Sequence, residues 1–185
     1  DMALLPCVAI ILVRLLLRSR NYRNLPLALT LGLLAVADIV FHLAAQPLVR
    51  ASYRAPIDTL STNIMGTAHL LEALRGIESV RVIVVVTTDK VYKSVRASAG
   101  YGENDPLGGH DPYSSSKGCA ELVTAAWRRS FFPPADYARH GVALASARAG
   151  NVIGGGDWAL DRLVPDLIAA FAAGRPAVIR NPAAI

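Results

Sequence analysis

The sequence is poor in cysteine and in charge, and both shortages argue against whole classes of protein. Its 185 residues contain two cysteines, Cys7 and Cys119, far apart and in no CxxC pair. This argues against a disulfide-stabilised secreted scaffold and a cysteine-based zinc site, so we expect a cytoplasmic protein. Only 18% of the residues are charged and 53% are hydrophobic, a composition too apolar for intrinsic disorder.

The positive charge also lacks the arrangement that nucleic-acid binding requires. The formal net charge is +5, but residues 51–185 are nearly balanced, with fourteen basic and twelve acidic residues. No basic stripe is interleaved with aromatic residues, so we expect no nucleic-acid partner. The length suits one domain, or one domain with an appendage.

Residues 2–37 contain no acid and no lysine, and two apolar runs dominate them. The runs, Met2–Val13 and Leu25–Ala37, flank a stretch with four arginines. Two apolar helices joined by a positive turn are typical of a membrane hairpin, although each run is shorter than the roughly 20 residues of a span. The alternative is a pair of buried or interfacial helices. The letters RNYRNLP resemble part of the NnrS-like family of multi-spanning membrane proteins. Residues 1–37 are therefore predicted to form an apolar helical segment that either contacts a membrane or packs internally.

From Asp38 onward, strand and helix patterns alternate. Short β-branched runs predict buried strands at Asp38–Leu43, Val80–Val86, Val142–Ala147 and Ala177–Arg180. Apolar residues at helical spacing predict helices at Thr59–Leu74, Pro112–Phe132 and Asp161–Ala173. The alternation predicts an α/β fold over residues 38–185, a partial Rossmann-like parallel sheet with crossover helices preceded by the apolar hairpin. Polar loops follow three successive strands, so we expect them to meet at one edge of the sheet, where ligands bind in such folds.

The segment YSSSK opens the second predicted helix and places Tyr113 and Lys117 four residues apart on one face. An ammonium beside a phenol lowers the phenol's pKa, so the tyrosine can act as a general base near neutral pH. The alternative is an ordinary pair on a helix surface.

A second polar group, Thr87-Thr88-Asp89-Lys90, directly follows the predicted buried strand. Two hydroxyls, a carboxylate and an ammonium at a strand's carboxyl end make a plausible acid–base cluster. The alternative is a solvated turn. In the segment HLAAQP we expect His42 to be a satisfied core histidine, while the two alanines after it let a flat ligand approach the backbone.

Taken in order, these segments resemble the extended short-chain dehydrogenase/reductases, the family of NAD-dependent nucleotide-sugar epimerases and dehydratases. The Asp-Lys pair, ENDPLGGHDPYS and GNVIGGGDW resemble its CDP-glucose 4,6-dehydratase branch. The resemblance covers about residues 38–185. The segments that carry it are HLAAQ, TNIMGT (Thr62–Thr67), VVVTTDKVY (Val84–Tyr92), DPYSSSKG (Asp111–Gly118) and ARAGNVIGGGDW (Ala147–Trp158).

The resemblance implies a hydro-lyase that uses NAD and acts on a nucleotide sugar. Tyr113 would deprotonate the sugar 4-hydroxyl, Lys117 would hold the nicotinamide ribose and tune Tyr113, and Thr88 would hydrogen-bond the same hydroxyl. Asp89 would act as acid toward the 6-hydroxyl during loss of water. Lys90 stands where related dehydratases have Glu, and a lysine base must be kept neutral by desolvation or by a neighbouring cation.

Further contacts and a subunit interface follow from the same resemblance. Asn151 and Arg162 would face the nucleotide diphosphate, and Asn63 would also order the active-site loop. The second helix and the one before it are where related enzymes form homodimers. The implied cofactor contacts are Ala44, Ala45, Gln46, Asn63, Thr87, Tyr113 and Lys117.

One feature of the family is missing from the pattern, namely the glycine-rich phosphate-binding turn near the start. The only glycine before Gly66 is Gly32. We therefore expect the middle of a dehydratase, joined near Ala37–Leu43 to membrane-like sequence and lacking both ends of the complete enzyme. We expect weak NAD affinity and little or no turnover from this chain alone. The alternatives are an epimerase of the same family and a non-catalytic remnant that binds a membrane or a partner through residues 1–37.

Overall fold

A computed structural model describes residues 38–93, 100–159, 161–179 and 182. The chain divides into two compact units, residues 1–150 and 151–185. The predicted hairpin at residues 1–37 lies outside the described residues. Within the described ranges, no helix is long and apolar enough to cross a membrane. Membrane contact and the division at residue 37 therefore stay predictions.

The first unit contains a parallel sheet of three strands in the order β1-β2-β3. The strands are β1 (Ile39–His42), β2 (Val82–Thr88) and β3 (Ala143–Ala149). The register pairs Val40 with Ile83, and Ile83 with Leu144. Parallel neighbours require crossover connections, and helices supply both of them. The predicted parallel α/β architecture is confirmed for these strands.

Helices occupy both crossovers. The first crossover contains α1 (Val49–Arg54), α2 (Pro56–Leu60) and α3 (Gly66–Leu74), and a π-helical turn at Ser61–Met65 joins α2 and α3 into a nearly continuous rod.

The second crossover contains the long helix α4 (Pro112–Ser130) and the short helix α5 (Tyr137–His140). It also contains 3₁₀ turns at Asp89–Val91 and Pro134–Asp136.

The hydrophobic core lies on one face of the sheet. Side chains alternate between the two faces of a strand, and the inward positions toward the amino ends of the strands, Val40, Ile83, Val85 and Leu144, are apolar. Ile39 and Phe41 on the opposite face are each 41% exposed. The core consists of Val40, Leu71, Leu74, Val80, Ile83, Val85, Phe132, Val142 and Leu144.

Strand β2 begins and ends two residues later than predicted. Thr87 and Thr88 looked like the start of a polar loop, but they pair with Arg148 and Ala149 and extend the ladder with β3. Backbone pairing with a neighbouring strand outweighs the polarity of the two threonines here. Helix α1 was not predicted, because six residues are too few for a helical period to show.

In the second unit, helix α6 (Leu163–Ala172) forms where a helix was predicted. The strand predicted at Ala177–Arg180 was wrong for its described part, because residues 177–179 form no strand. A strand requires a hydrogen-bonded neighbour, and residues 177–179 pair with no described strand.

We expect Leu71→Ala to lower the free energy of unfolding by about 2–5 kcal/mol, because it removes a side chain that is 0% exposed and leaves a cavity. Leu122→Ala, at a position on α4 that is 59% exposed, is the matched control and should cost under about 0.5 kcal/mol. Urea denaturation followed by circular dichroism measures both. Equal costs for the two variants would contradict this placement of the core.

Candidate active site

The carboxyl ends of the three parallel strands meet at one edge of the sheet. His42 ends β1 and Thr88 ends β2, and the backbone continues from each into the polar segments identified in the sequence. A Cβ atom built on Gly150, just after β3, would lie 3.5 Å from the Asp89 Oδ2. The ends of β2 and β3 therefore lie side by side.

The start of helix α4 is fixed by hydrogen bonds and by a close backbone approach. Asp111 caps the helix through its Oδ1, which accepts from the Ser114 N–H at 2.9 Å, and its Oδ2 accepts from the Ser114 hydroxyl at 2.7 Å. A Cβ on Gly109 would lie 2.2 Å from the Ser114 carbonyl carbon, so a larger residue cannot occupy this position without a backbone shift. The first turn of α4, which carries Tyr113, is therefore held in place.

Tyr113 and Lys117 are both buried on α4, facing the sheet. The Tyr113 N–H donates to the Ser52 hydroxyl at 3.2 Å, which joins α4 to α1. The Lys117 Nζ donates to the Val86 carbonyl oxygen at 3.1 Å. Burial lowers the pKa of Lys117 to about 8, against an opposing effect of the Glu121 charge. The ammonium can therefore exchange its proton near physiological pH.

The polar segment at the end of β2 has two buried members, Thr87 and Thr88, and two exposed members, Asp89 and Lys90. Thr88 is buried, and its hydroxyl donates to the Asp89 Oδ1 at 3.0 Å and accepts from the Lys90 N–H at 3.4 Å. The side chains of Asp89 and Lys90 are exposed. The desolvation that a neutral lysine base requires is therefore not provided around Lys90 in this structure.

Asn63 joins the loop after β1 to helix α4. Its Oδ1 accepts from the Gln46 N–H at 2.8 Å, and its Nδ2 donates to the Gln46 carbonyl oxygen at 3.2 Å and the Ser116 hydroxyl at 2.8 Å. Asn63 lies in the π-helical turn and is buried, as expected of a residue that orders this loop. π-helical turns often occur at functional sites because they redirect side chains.

The three loop residues predicted to line the cofactor are half-buried. The Gln46 side chain is used within the chain, because its Nε2 donates to the Thr59 hydroxyl at 2.9 Å and its Oε1 accepts from the Leu48 N–H at 2.6 Å. A contact from Gln46 to a ligand would therefore come from its backbone. Ala44 and Ala45 carry small side chains that leave the backbone accessible.

His42 is buried but only partly satisfied, which corrects the expectation of a fully satisfied core histidine. One ring nitrogen, Nε2, lies 3.0 Å from the Thr67 hydroxyl, whereas Nδ1 has no hydrogen-bond partner among the described residues. Burial, with a contribution from the Lys117 charge, lowers the pKa of His42 to about 4. The imidazole is therefore neutral at physiological pH.

Glu121 was missed by the sequence analysis. Its carboxylate accepts from the Thr87 hydroxyl at 2.5 Å, from the Ser146 hydroxyl at 2.7 Å and from the Arg148 Nε at 3.1 Å. Thr87, predicted as a cofactor contact, thus directs its hydroxyl to the helix. The signal for Glu121 was its spacing, one further step of four residues beyond Tyr113 and Lys117.

The predicted diphosphate contacts, Asn151 and Arg162, belong to the second unit. Within that unit, the Arg162 Nε lies 3.7 Å from the Asp157 Oδ2. Their predicted role toward a substrate stays a prediction. No group of three metal-ligating side chains occurs among the described residues of either unit.

The fold and the buried tyrosine–lysine pair at the carboxyl edge of a parallel sheet define a Rossmann-like protein of the dehydrogenase and dehydratase type. A sequence model of the family described as GDP-mannose 4,6 dehydratase matches residues 33–141, and the chain belongs to this family. The family predicted from the motifs is thereby confirmed.

Among curated relatives, the chain is 59% identical over 148 residues to a CDP-glucose 4,6-dehydratase from Salmonella typhimurium. This match covers 80% of the chain and 41% of the relative. A dTDP-glucose 4,6-dehydratase from Mycolicibacterium smegmatis is 38% identical over 106 residues, which cover 56% of the chain and 31% of the relative. The chain thus spans less than half the length of these relatives.

Solved structures give the same fold. DesIV, a dTDP-glucose 4,6-dehydratase from Streptomyces venezuelae with NAD and TYD bound, superposes with a TM-score of 0.65 at 29% identity, covering 78% of this chain and 42% of that one. A UDP-glucuronic acid 4-epimerase from Bacillus cereus, in complex with UDP-glucuronic acid and NAD, superposes with a TM-score of 0.68 at 26% identity. This match covers 80% of this chain and 44% of that one.

The low pKa of His42 predicts a loss of stability on acidification. Between pH 6.5 and about 4 the unfolded chain binds a proton at this residue and the folded chain does not, so the free energy of unfolding falls as pH falls. From pH 7 to pH 5 the loss should be about 2 kcal/mol. Urea denaturation of the chain and of His42→Gln at both pH values measures it. The variant should lose less stability than the parent chain, and an equal loss in both would contradict the assignment.

Proposed function

We propose that this site catalyses the NAD-dependent 4,6-dehydration of a nucleotide sugar, with CDP-glucose as substrate and CDP-4-keto-6-deoxyglucose as product. The observation that carries the proposal is the placement of Tyr113 and Lys117, buried on one helix beside the Thr88–Asp89 pair. The 59% identity to a CDP-glucose 4,6-dehydratase supports this choice of substrate.

The described residues fit the nicotinamide and ribose end of NAD. The Lys117 Nζ, at the carboxyl edge of the sheet, is a donor suited to ribose hydroxyls, and the small side chains of Ala44 and Ala45 leave room for a flat group along the backbone. No glycine-rich phosphate-binding turn occurs among the described residues. A bound NAD would supply the hydride chemistry, namely a temporary acceptor for the hydride that leaves C4 of the sugar and is returned to C6.

Tyr113 starts the reaction as a general base at the sugar 4-hydroxyl. The charge of Lys117 favours the phenolate form of a tyrosine one helical turn away. Thr88 supplies a second hydrogen bond to the same hydroxyl, by turning its own hydroxyl proton from the Asp89 Oδ1, which accepts it in this structure, to the sugar oxygen. Together these residues favour removal of the proton while C4 becomes a ketone.

Elimination of water follows because the C4 ketone acidifies the proton on C5. Asp89 gives a proton to the departing 6-hydroxyl, and Lys90 takes the proton from C5. Both side chains are exposed in this structure, so the bound sugar itself must exclude water around them. A proton from solvent later returns to C5.

The return of a solvent proton provides the test of the proposed function. The chain, at a concentration comparable to that of CDP-glucose, is incubated with excess NAD in D₂O, because we expect NAD to bind weakly. NMR should show CDP-4-keto-6-deoxyglucose with deuterium at C5. Tyr113→Phe should form product at least about 100-fold more slowly because it lacks the general base. Tyr137→Phe, a half-exposed tyrosine on α5, is the matched control and should keep the parent rate.

Two outcomes would contradict the proposal. Formation of the C4 epimer, with neither incorporation of deuterium nor loss of water, would assign the site to an epimerase. Failure of the folded chain to form any product, even in equimolar amount, would favour a non-catalytic chain that keeps the fold of its relatives.

A further inference from the structure

Glu121 is a buried carboxylate with an unusually full set of partners. It is 5% exposed and lies on the inner face of α4. Besides the bonds from Thr87, Ser146 and the Arg148 Nε, the Arg148 Nη2 donates to its second oxygen at 3.3 Å. These partners lie on β2 and β3, so one side chain connects the helix to both strands.

The carboxylate of Glu121 is ionised. Burial alone would raise its pKa, but the hydrogen bonds from Arg148, Thr87 and Ser146 outweigh burial and lower it. Arg148 is itself held in place, since its Nη1 donates to the Glu103 carbonyl oxygen at 2.9 Å and its guanidinium lies 4.8 Å from the centre of the Tyr92 ring. A fixed negative charge therefore lies between α4 and the sheet.

Lys117 is a second cation that the charge of Glu121 affects, besides its ion-pair partner Arg148. Residues four apart lie on the same face, so Glu121 is one turn beyond Lys117, as Lys117 is one turn beyond Tyr113. Burial lowers the pKa of Lys117, and Glu121 opposes this change.

Other charged groups near Lys117 do not take over this role. His42 on β1 interacts with Lys117 electrostatically but is neutral, because its pKa is about 4. Asp89 and Lys90, in the turn packed against α4, are exposed to solvent. Arg148 on β3 is paired with Glu121 itself.

We infer that Glu121 is a positioning residue for the Tyr113–Lys117 pair, tying α4 to both strands and holding a fixed negative charge one helical turn from Lys117. Its effect on Lys117 rests on the shared helix face and on the fixed position of the carboxylate, whereas its effect on turnover rests on the proposed function. Loss of the carboxylate would lower the charged fraction of Lys117 at physiological pH, and a neutral lysine no longer favours the phenolate of Tyr113.

The chain offers a direct measurement, because it contains only three lysines, Lys90, Lys93 and Lys117. Labelling with [ε-¹³C]lysine gives three NMR signals, which Lys90→Arg and Lys93→Arg assign. The Lys117 signal should titrate with a midpoint near pH 8. In Glu121→Gln the midpoint should fall by roughly one pH unit. In Glu121→Asp, which keeps the charge, it should stay closer to the parent value.

Two control variants separate charge from packing. Ser146→Ala removes one hydrogen bond but leaves the carboxylate, so it should lower stability without moving the Lys117 midpoint. Glu72→Gln removes an exposed carboxylate on α3 and should leave both the stability and the Lys117 midpoint unchanged.

A folded Glu121→Gln chain whose Lys117 midpoint equals that of the parent chain would overturn the inference. If Glu121→Gln does not fold, Glu121→Asp and Ser146→Ala provide the test. Both variants keep the negative charge and disturb only the packing around it. An equal displacement of the Lys117 midpoint in both would therefore overturn the inference.

Turnover is a separate readout. If the chain forms product, Glu121→Gln should move the alkaline limb of the pH–rate profile to lower pH by the same amount as the Lys117 midpoint. If the chain forms none but the midpoint moves as expected, the proposed function fails and the role of Glu121 toward Lys117 stands.

Discussion

A buried ammonium needs compensating interactions, and the burial of Lys117 is the constraint on which the rest of the site depends. Its Nζ reaches one strand through the Val86 carbonyl oxygen, and the Glu121 charge lies one helical turn away. The same helix must be capped at Asp111 and bonded to Asn63 for Tyr113 to occupy its place. The hydrogen bonds that fix the fold here are therefore also those that adjust the chemistry of the site.

The sheet supplies the second condition, because it places chemically different side chains at one edge. The carboxyl ends of parallel strands lie at the same edge of the sheet. The pairing of the strands alone therefore brings Thr88 and the backbone after His42 to the start of α4. The π-helical turn then brings Asn63 to the Gln46 backbone and to Ser116. One irregular turn in a helix thus connects the loop after β1 to α4.

Local patterns predicted much of this arrangement. The β-branched run before Thr87 and the spacing of Tyr113 and Lys117 are local features, so the central strand and the shared helix face were predicted correctly. Strand ends were less accurate, because Thr87 and Thr88 join β2 only through pairing with β3. The role of Glu121 was not predicted, because its partners Thr87, Ser146 and Arg148 are 25 to 34 residues away in sequence.

We propose that Lys117 holds a nicotinamide cofactor at this edge of the sheet, and a calorimetric titration with NAD measures that contact. The folded chain should give saturable heat, and Lys117→Met should bind NAD at least about tenfold more weakly, as expected for loss of a charge-assisted hydrogen bond of about 1.5–3 kcal/mol. Circular dichroism confirms that the variant folds. The absence of saturable heat from the folded chain, or equal affinity in the variant, would contradict the claim.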